Sequence, residues 1–505
     1  MKKKVLSISI LSLLLLFSCG GGNSSSSSSS EDSSSSSTQE KVYEKIEKNS
    51  SATLHKITSN RGNPKLNSLG EQNILVIPVV INGFEHLATE EVKNQINTAF
   101  FGNSEDTGFE SVSSYYKKSS YNQLNIKGKV SDFFTPNMTA EEIASVTTEG
   151  YGEYGLFNLT NLAISWYENT YDDLKDFDKN QDGFVDGLWL IYCAPNYSNA
   201  IGEVPSDLMW AFSFSNFSNL DKGDVNSPKA MSYSWASYDF MYDGYGKDVI
   251  DSHVYIHETG HLLGLEDYYC ASGANISPMG RVDMMDDDLG DHSPYSKFAL
   301  GWVEPYLIDG EGTITLNSFT ETGDCLLFKT ENYNGTPFDE YIMVDFVTPT
   351  GLNEQDYLSG YRNKYGYQEA GVRFTYINSV AIDKNFELTD DLEEMTAVKY
   401  NNSPYGNMEG IINVNTGMYH ILTTLFPKDC GSTDHGLIKS NFVATSEHLF
   451  KKGDSFDLKR GSQYRNIMQS QSNKYIKKNA GFFMYVVTVE DMTETSCTLR
   501  FENVI

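Results

Sequence analysis

The run His257-Glu258-Thr259-Gly260-His261 carries the strongest chemistry in the chain. On a helix, residues four apart share a face, so both imidazoles can present a nitrogen to one metal ion. Glu258 stands beside them, within reach of a water at the metal and not obliged to ligate. Zinc suits such a set, because it takes nitrogen and carboxylate ligands, acidifies a bound water and polarises a substrate carbonyl. Glu258 is then the expected general base, taking the water's proton and later handing it to a leaving amine. Chance places H-E-x-x-H in a chain of this composition about one time in a hundred. A surface helix with two incidental histidines is therefore the weaker reading. Gly264 lets a helix stop in a left-handed turn, so that the chain folds back towards the metal. Spacing makes Asp267 the expected third ligand, with Glu266 as its rival.

A second constellation is made of oxygen donors. In the run 176–186, Asp178, Asn180 and Asp182 fall at alternate positions, Gly183 permits a sharp bend, and Phe184 and Asp186 offer a carbonyl and a further carboxylate. Calcium takes six to eight oxygens, so a structural calcium site is expected here, with Asp176 as an extra ligand. The loop is not a full EF-hand, since Trp189 stands where the twelfth-position Glu belongs. The bland alternative is an acidic, solvated turn. A third acidic group, Asp283, Asp286, Asp287, Asp288 and Asp291, reads as a solvated loop more readily than as another cation site.

These residues need elements to hold them. The apolar run 74–81 reads as a buried strand, 89–100 and 111–120 as helices, and 121–130 as an alternating strand that turns at Gly128. An amphipathic helix follows over 156–167, an apolar strand over 187–194, and the histidine helix over 249–263. After Pro305 the texture becomes short and β-rich, with strands over 312–316, 341–346, 372–377 and 482–489. The fold class expected is α+β: a catalytic domain over 71–305 with a mixed sheet and an active-site helix, then a β-rich C-terminal domain over 306–505.

The first residues read as processing signals. Lys2, Lys3 and Lys4 precede an apolar run that is too short to span a bilayer and ends at Cys19. The pattern resembles a lipoprotein signal over 1–18, with lipid carried by Cys19. The Ser-rich stretch behind it reads as a tether, and the rest of 19–70 as a spacer or short pro-segment. The expected location is the extracellular face of a bacterial membrane. The formal charge of -30 argues against nucleic acid as a partner. Five cysteines remain after Cys19, an odd number without a C-x-x-C pair, which suggests scattered buried thiols.

The stretch 74–305 resembles the immune inhibitor A family of secreted bacterial metallopeptidases. The likeness rests on His257 through Asp267, on Asp283-Met284-Met285-Asp286 as a Met-turn, on Tyr115 through Asn125, and on Ser296 through Trp302. It implies a metzincin-like domain with Met285 beneath the zinc histidines. The motifs assign no oxyanion stabiliser; Tyr295, just after the Met-turn, is a weak candidate. The function expected is a zinc endopeptidase acting as a monomer on protein or peptide substrates, by attack of a zinc-bound water. The alternatives are a surface-binding lipoprotein on a peptidase scaffold and a hydrolase of another substrate, such as a glycan-linked peptide. The 32 Tyr and 28 Phe suit sugar or peptide binding and an ordinary core equally.

Overall fold

The computed structural model describes residues 66–145, 152–200, 209–215, 223–269 without 247, 277–379 without 332, 443–458 and 485–503, with short pieces at 43–45, 54, 56 and 204 and within 381–398 and 422–438. The signal, Cys19 and the Ser-rich tether lie outside these residues, as do Cys270 and Cys430. Residues Lys41–Ile505 form one compact unit.

Strands β1 (Gly70–Val80), β2 (Leu124–Val130), β3 (Gly187–Cys193), β4 (Phe212–Ser215) and β5 (Ser232–Ser237) form a mixed sheet in the order β2-β1-β3-β5-β4. The first four in that order run parallel, and β4 closes the edge antiparallel to β5. Apolar side chains cover both faces, which explains why β1 and β3 read as unbroken apolar runs. Ile74, Val76, Trp189 and Ile191 face α1 (Glu90–Phe101), α2 (Val112–Ser119) and α4 (His253–Leu262) in one core. Leu75, Ile77, Leu188 and Leu190 face α3 (Gly152–Thr170) in another. Thr89 caps α1 by accepting the Val92 amide, and Ser111 closes a capping box on α2.

The turn expected at Gly128 is not there. Gly128 sits inside β2 opposite Ile74, where a Cβ would lie 2.0 Å from the Ile74 carbonyl oxygen and 2.5 Å from the Phe101 ring. The glycine serves close approach, not reversal.

Beyond Tyr306 most described elements are strands. Strands β6 (Tyr306–Ile308), β8 (Cys325–Lys329), β9 (Glu340–Val347), β10 (Gly371–Asn378) and the strand Leu422–Leu425 make a second sheet, whereas β7 (Gly312–Asn317) joins the hairpin of Tyr485–Met492 and Ser496–Asn503. The two share a core that includes Phe328, Val344, Val487 and Phe501. The other face of β8 and β9 reaches the catalytic core through Cys325, Leu327, Tyr341 and Met343. Cys193, Cys325 and Cys497 are buried free thiols. Among the described residues no helix is long and apolar enough to cross a membrane.

Candidate metal centre

Helix α4 lies under the sheet, pinned from both sides. The Trp189 indole donates to the Thr259 hydroxyl (3.3 Å), and the Tyr116 hydroxyl donates to the Ile256 carbonyl (2.7 Å). Gly264 ends the helix at φ 101°, a conformation that favours glycine. The amide of Leu265 returns to the Gly260 carbonyl (3.0 Å), so the chain doubles back. That reversal does two things. It brings Asp267 over the histidines, and it offers the Leu265 carbonyl to Nδ1 of His261 at 2.8 Å.

Asp267 Oδ1 lies 3.1 Å from His257 Nε2 and 3.2 Å from His261 Nε2. Ligand atoms at tetrahedral angles around one zinc, each about 2.0–2.1 Å away, sit about 3.3 Å apart. The three donors thus have the chemistry and the spacing that a single ion requires, and they form one of two groups of this kind among the described residues. Glu266 is exposed and Asp267 is the carboxylate that meets the imidazoles. Both rings are oriented from behind. Nδ1 of His257 lies 2.7 Å from the Met284 carbonyl and 2.7 Å from Asp288 Oδ1. Fixing Nδ1 as the protonated nitrogen leaves each Nε2 free to ligate. Burial works against the charge of Asp267, yet His261 and His257 hold its carboxyl well below the usual range.

Glu258 is 6% exposed, and its Oε2 accepts from the Ser213 hydroxyl at 3.0 Å, on the edge strand β4. Burial pushes its carboxyl up, against the pull of His261 and His257. A raised carboxyl suits proton transfer near neutral pH. Met285 is fully buried, and a Cβ on Gly260 would meet its sulfur at 2.5 Å, so glycine in the helix makes room for methionine below it. Tyr295 does not reach this site, because its buried hydroxyl is taken by Ser379.

The acidic group around Met285 is not a solvated loop. Asp283, Asp286 and Asp291 are buried. Asp283 caps the short helix Met284–Asp287 and accepts the Ser293 amide; Asp291 pairs with Lys297 at 2.6 Å and accepts from Ser119. Asp288 serves His257. These acids are anchors, and the stretches 115–125 and 296–302 supply the partners of Asp291, Ser119 and Lys297.

Oxygen donors also gather before β3, where Asp178, Asp182 and Asp186 converge. Gly183 bends at φ 85°. Asp178 accepts the Asp182 and Gly183 amides, and Asn180 and Asp182 bind each other. Asp186 uses Oδ2 for the Lys179 amide, and its buried Oδ1 has no hydrogen-bond partner among the described residues. Burial, with Asp182 and Asp178 nearby, pushes the Asp186 carboxyl up to about 7. Asp176 is not one of the three convergent acids.

Three features escaped the sequence: Ser213 on Glu258, Asp288 on His257, and His253, which is held between Asp251 and Asp356. His253 left a signal, since it lies one turn before His257 on the same helix, and Asp288 was seen only as part of an acidic run.

Comparison with curated proteins finds no match. Residues 92–287 match the family model described as immune inhibitor A peptidase M6, catalytic domain, a span that contains both histidines, Glu258, Asp267, Met285 and the acidic loop before β3. Over that span the chain is similar to the catalytic domain of that family, which supports a metallopeptidase.

Proposed function

We propose that the protein is a zinc endopeptidase in which His257, His261 and Asp267 hold the metal and Glu258 is the general base. The observation that carries this reading is the convergence of both Nε2 atoms on Asp267 Oδ1 at 3.1 and 3.2 Å. Zinc bound there would polarise the scissile carbonyl and acidify a water. Glu258 takes the proton of the attacking water, keeps it in a pocket shielded from bulk solvent, and delivers it to the leaving amine. Ser213 holds the carboxylate in place on one side. Met285 packs beneath the imidazoles as a soft apolar support and is not a ligand. The domain reads as metzincin-like, with 306–505 as a β-rich companion that buttresses it. A lipid on Cys19 would hold the enzyme at the extracellular face of a bacterial membrane.

His257→Ala tests the ligand set. Metal content measured by atomic spectroscopy should fall from one zinc per chain to near none, and hydrolysis of casein should fall with it. A tight stoichiometric zinc in that variant would refute the assignment.

The loop 178–186 is proposed as a structural calcium site built by Asp178, Asn180, Asp182, the Phe184 carbonyl and Asp186. The unpartnered Asp186 oxygen supports it, because a buried lone oxygen gains most from a hard cation. Calcium at 100 times its Kd should stabilise the fold by about 2.7 kcal/mol. The unfolding temperature of zinc-saturated protein should rise by a few degrees on calcium addition. Asp182→Ala should abolish the rise, and a rise that persists in that variant counts against the site.

A further inference from the structure

A cleft of about 360 Å³ opens beside His257 and Glu258. Trp210, Phe240 and Val254 give it apolar walls, and Asp286 also lines it. That carboxylate is only 2% exposed. Its Oδ2 accepts the Arg281 amide at 2.7 Å, while its Oδ1 is buried with no hydrogen-bond partner among the described residues. The other charges of the cleft have ion-pair partners, while Arg281 Nε makes no hydrogen bond among the described residues. Asp288 is paired with His257, Asp287 with Lys364 and Arg281, and Arg362 with Asp243. Asp286 has a side-chain hydrogen bond with Ser277 but no cationic partner, and its Oδ1, like Asp287 Oδ2, is buried without a hydrogen-bond partner among the described residues.

We propose that this cleft is the specificity subsite of the peptidase and that it takes a substrate residue with a cationic side chain, lysine or arginine, whose head group binds Asp286. The proposal rests on the peptidase reading above. A long basic side chain is amphipathic. Its methylene stem suits walls of Trp210, Phe240 and Val254, and its tip needs an acceptor at the end. An unpaired carboxylate oxygen in a buried wall is costly, and an ammonium or guanidinium relieves that cost with a charge-assisted bond. Burial above all pushes the Asp286 carboxyl up to about 8, so it is largely protonated at neutral pH until a cationic head group beside it favours the charged form. The subsite adjoins Glu258, so the residue it holds sits next to the scissile bond.

The test is a positional-scanning peptide set cleaved by the zinc-loaded full chain, paired with a titration read by Trp210 fluorescence. The titrants are Nα-acetyl-lysine amide and Nα-acetyl-norleucine amide, with Trp210→Phe assigning the signal. Lysine and arginine should exceed leucine and glutamate by at least tenfold in kcat/KM at one position beside the cleaved bond. Asp286→Asn should cut the lysine-to-leucine ratio at least tenfold, and Asp286→Glu, which keeps the charge, should retain a basic preference. Cleavage without a basic preference, a preference for acidic residues, or equal losses on all peptides in Asp286→Asn would overturn the proposal. If no peptide is cleaved, the peptidase reading fails and the titration decides the subsite alone. Saturable lysine binding that norleucine lacks and Asp286→Asn abolishes upholds the subsite, and its absence overturns it.

Discussion

Glu258→Gln should lower kcat on a peptide substrate by about 10²–10⁴, the usual worth of a positioned general base, and should leave metal content and fold intact. The reasoning is geometric. Glu258 is next to His257 in sequence but is not one of the three convergent donors. Its Oε2 is held by the Ser213 hydroxyl at 3.0 Å, and a glutamine oxygen can accept that same bond. The substitution therefore removes a proton acceptor and little else. KM should change less than kcat, because the group acts on the water and not on the bound peptide. Activity within tenfold of wild type, with zinc still bound, would remove Glu258 from the mechanism. Loss of zinc along with activity would mean that the carboxylate helps to ligate. Together with the His257→Ala result, the two variants separate metal binding from proton transfer.

How far the sequence revealed this site follows from the range of each interaction. Everything within one turn was readable: the i, i+4 histidines, the helix-ending Gly264, and the alternating acids of 178–186. The starts of α1 and α2 were readable, with Thr89 and Ser111 as local caps. The histidine helix, however, begins at His253 and not at 249, and α3 runs over Gly152–Thr170 and not 156–167. The acids near Met285 were misread as solvated. Their charge is visible in sequence, but their partners are not: packing alone brings Ser119 and Lys297 to Asp291. Gly128 shows the same limit. A glycine in a strand marks either a turn or a close approach, and the Ile74 carbonyl that decides the matter is far away along the chain. Ser213 could not be found at all, and Asp288 was seen only as part of an acidic run, for each has meaning only beside Glu258 or His257. The β-rich character after Pro305 was legible from short β-prone runs separated by turn residues. That one face of β8 and β9 continues the catalytic core was not, because strand patterning shows which positions are buried and says nothing of what covers them.

His253 carries the largest expected stability effect. The ring is 0% exposed, with Nδ1 2.7 Å from Asp251 Oδ1 and Nε2 3.0 Å from Asp356 Oδ1. A neutral imidazole has one N–H, so two carboxylate partners require the charged ring. Burial opposes that charge, but Asp356 and Asp251 outweigh it and push the ring up to about 10. Tyr361 stacks on the ring at 3.7 Å and donates to Asp251 at 2.6 Å, and the Gly290 amide donates to Asp356. The group ties the first turn of α4 to the segment 351–363, one turn from the first proposed zinc ligand. His253→Gln strands two buried carboxylates and should cost about 3–5 kcal/mol. The pH dependence has a definite sign. A folded-state pKa raised above the ordinary value of about 6.5 means that the stabilisation is fully present below pH ~6.5. It is lost as pH rises through about 10. Urea unfolding of chelator-treated protein at pH 6 and pH 9.5 should show wild type losing stability relative to His253→Gln across that interval. A constant difference between the two proteins would mean that the ring is neutral and the clamp is held by hydrogen bonds alone. A difference that shrinks with pH would make His253 a fixed cation at neutral pH, placed where it holds the metal-bearing helix without competing for the metal.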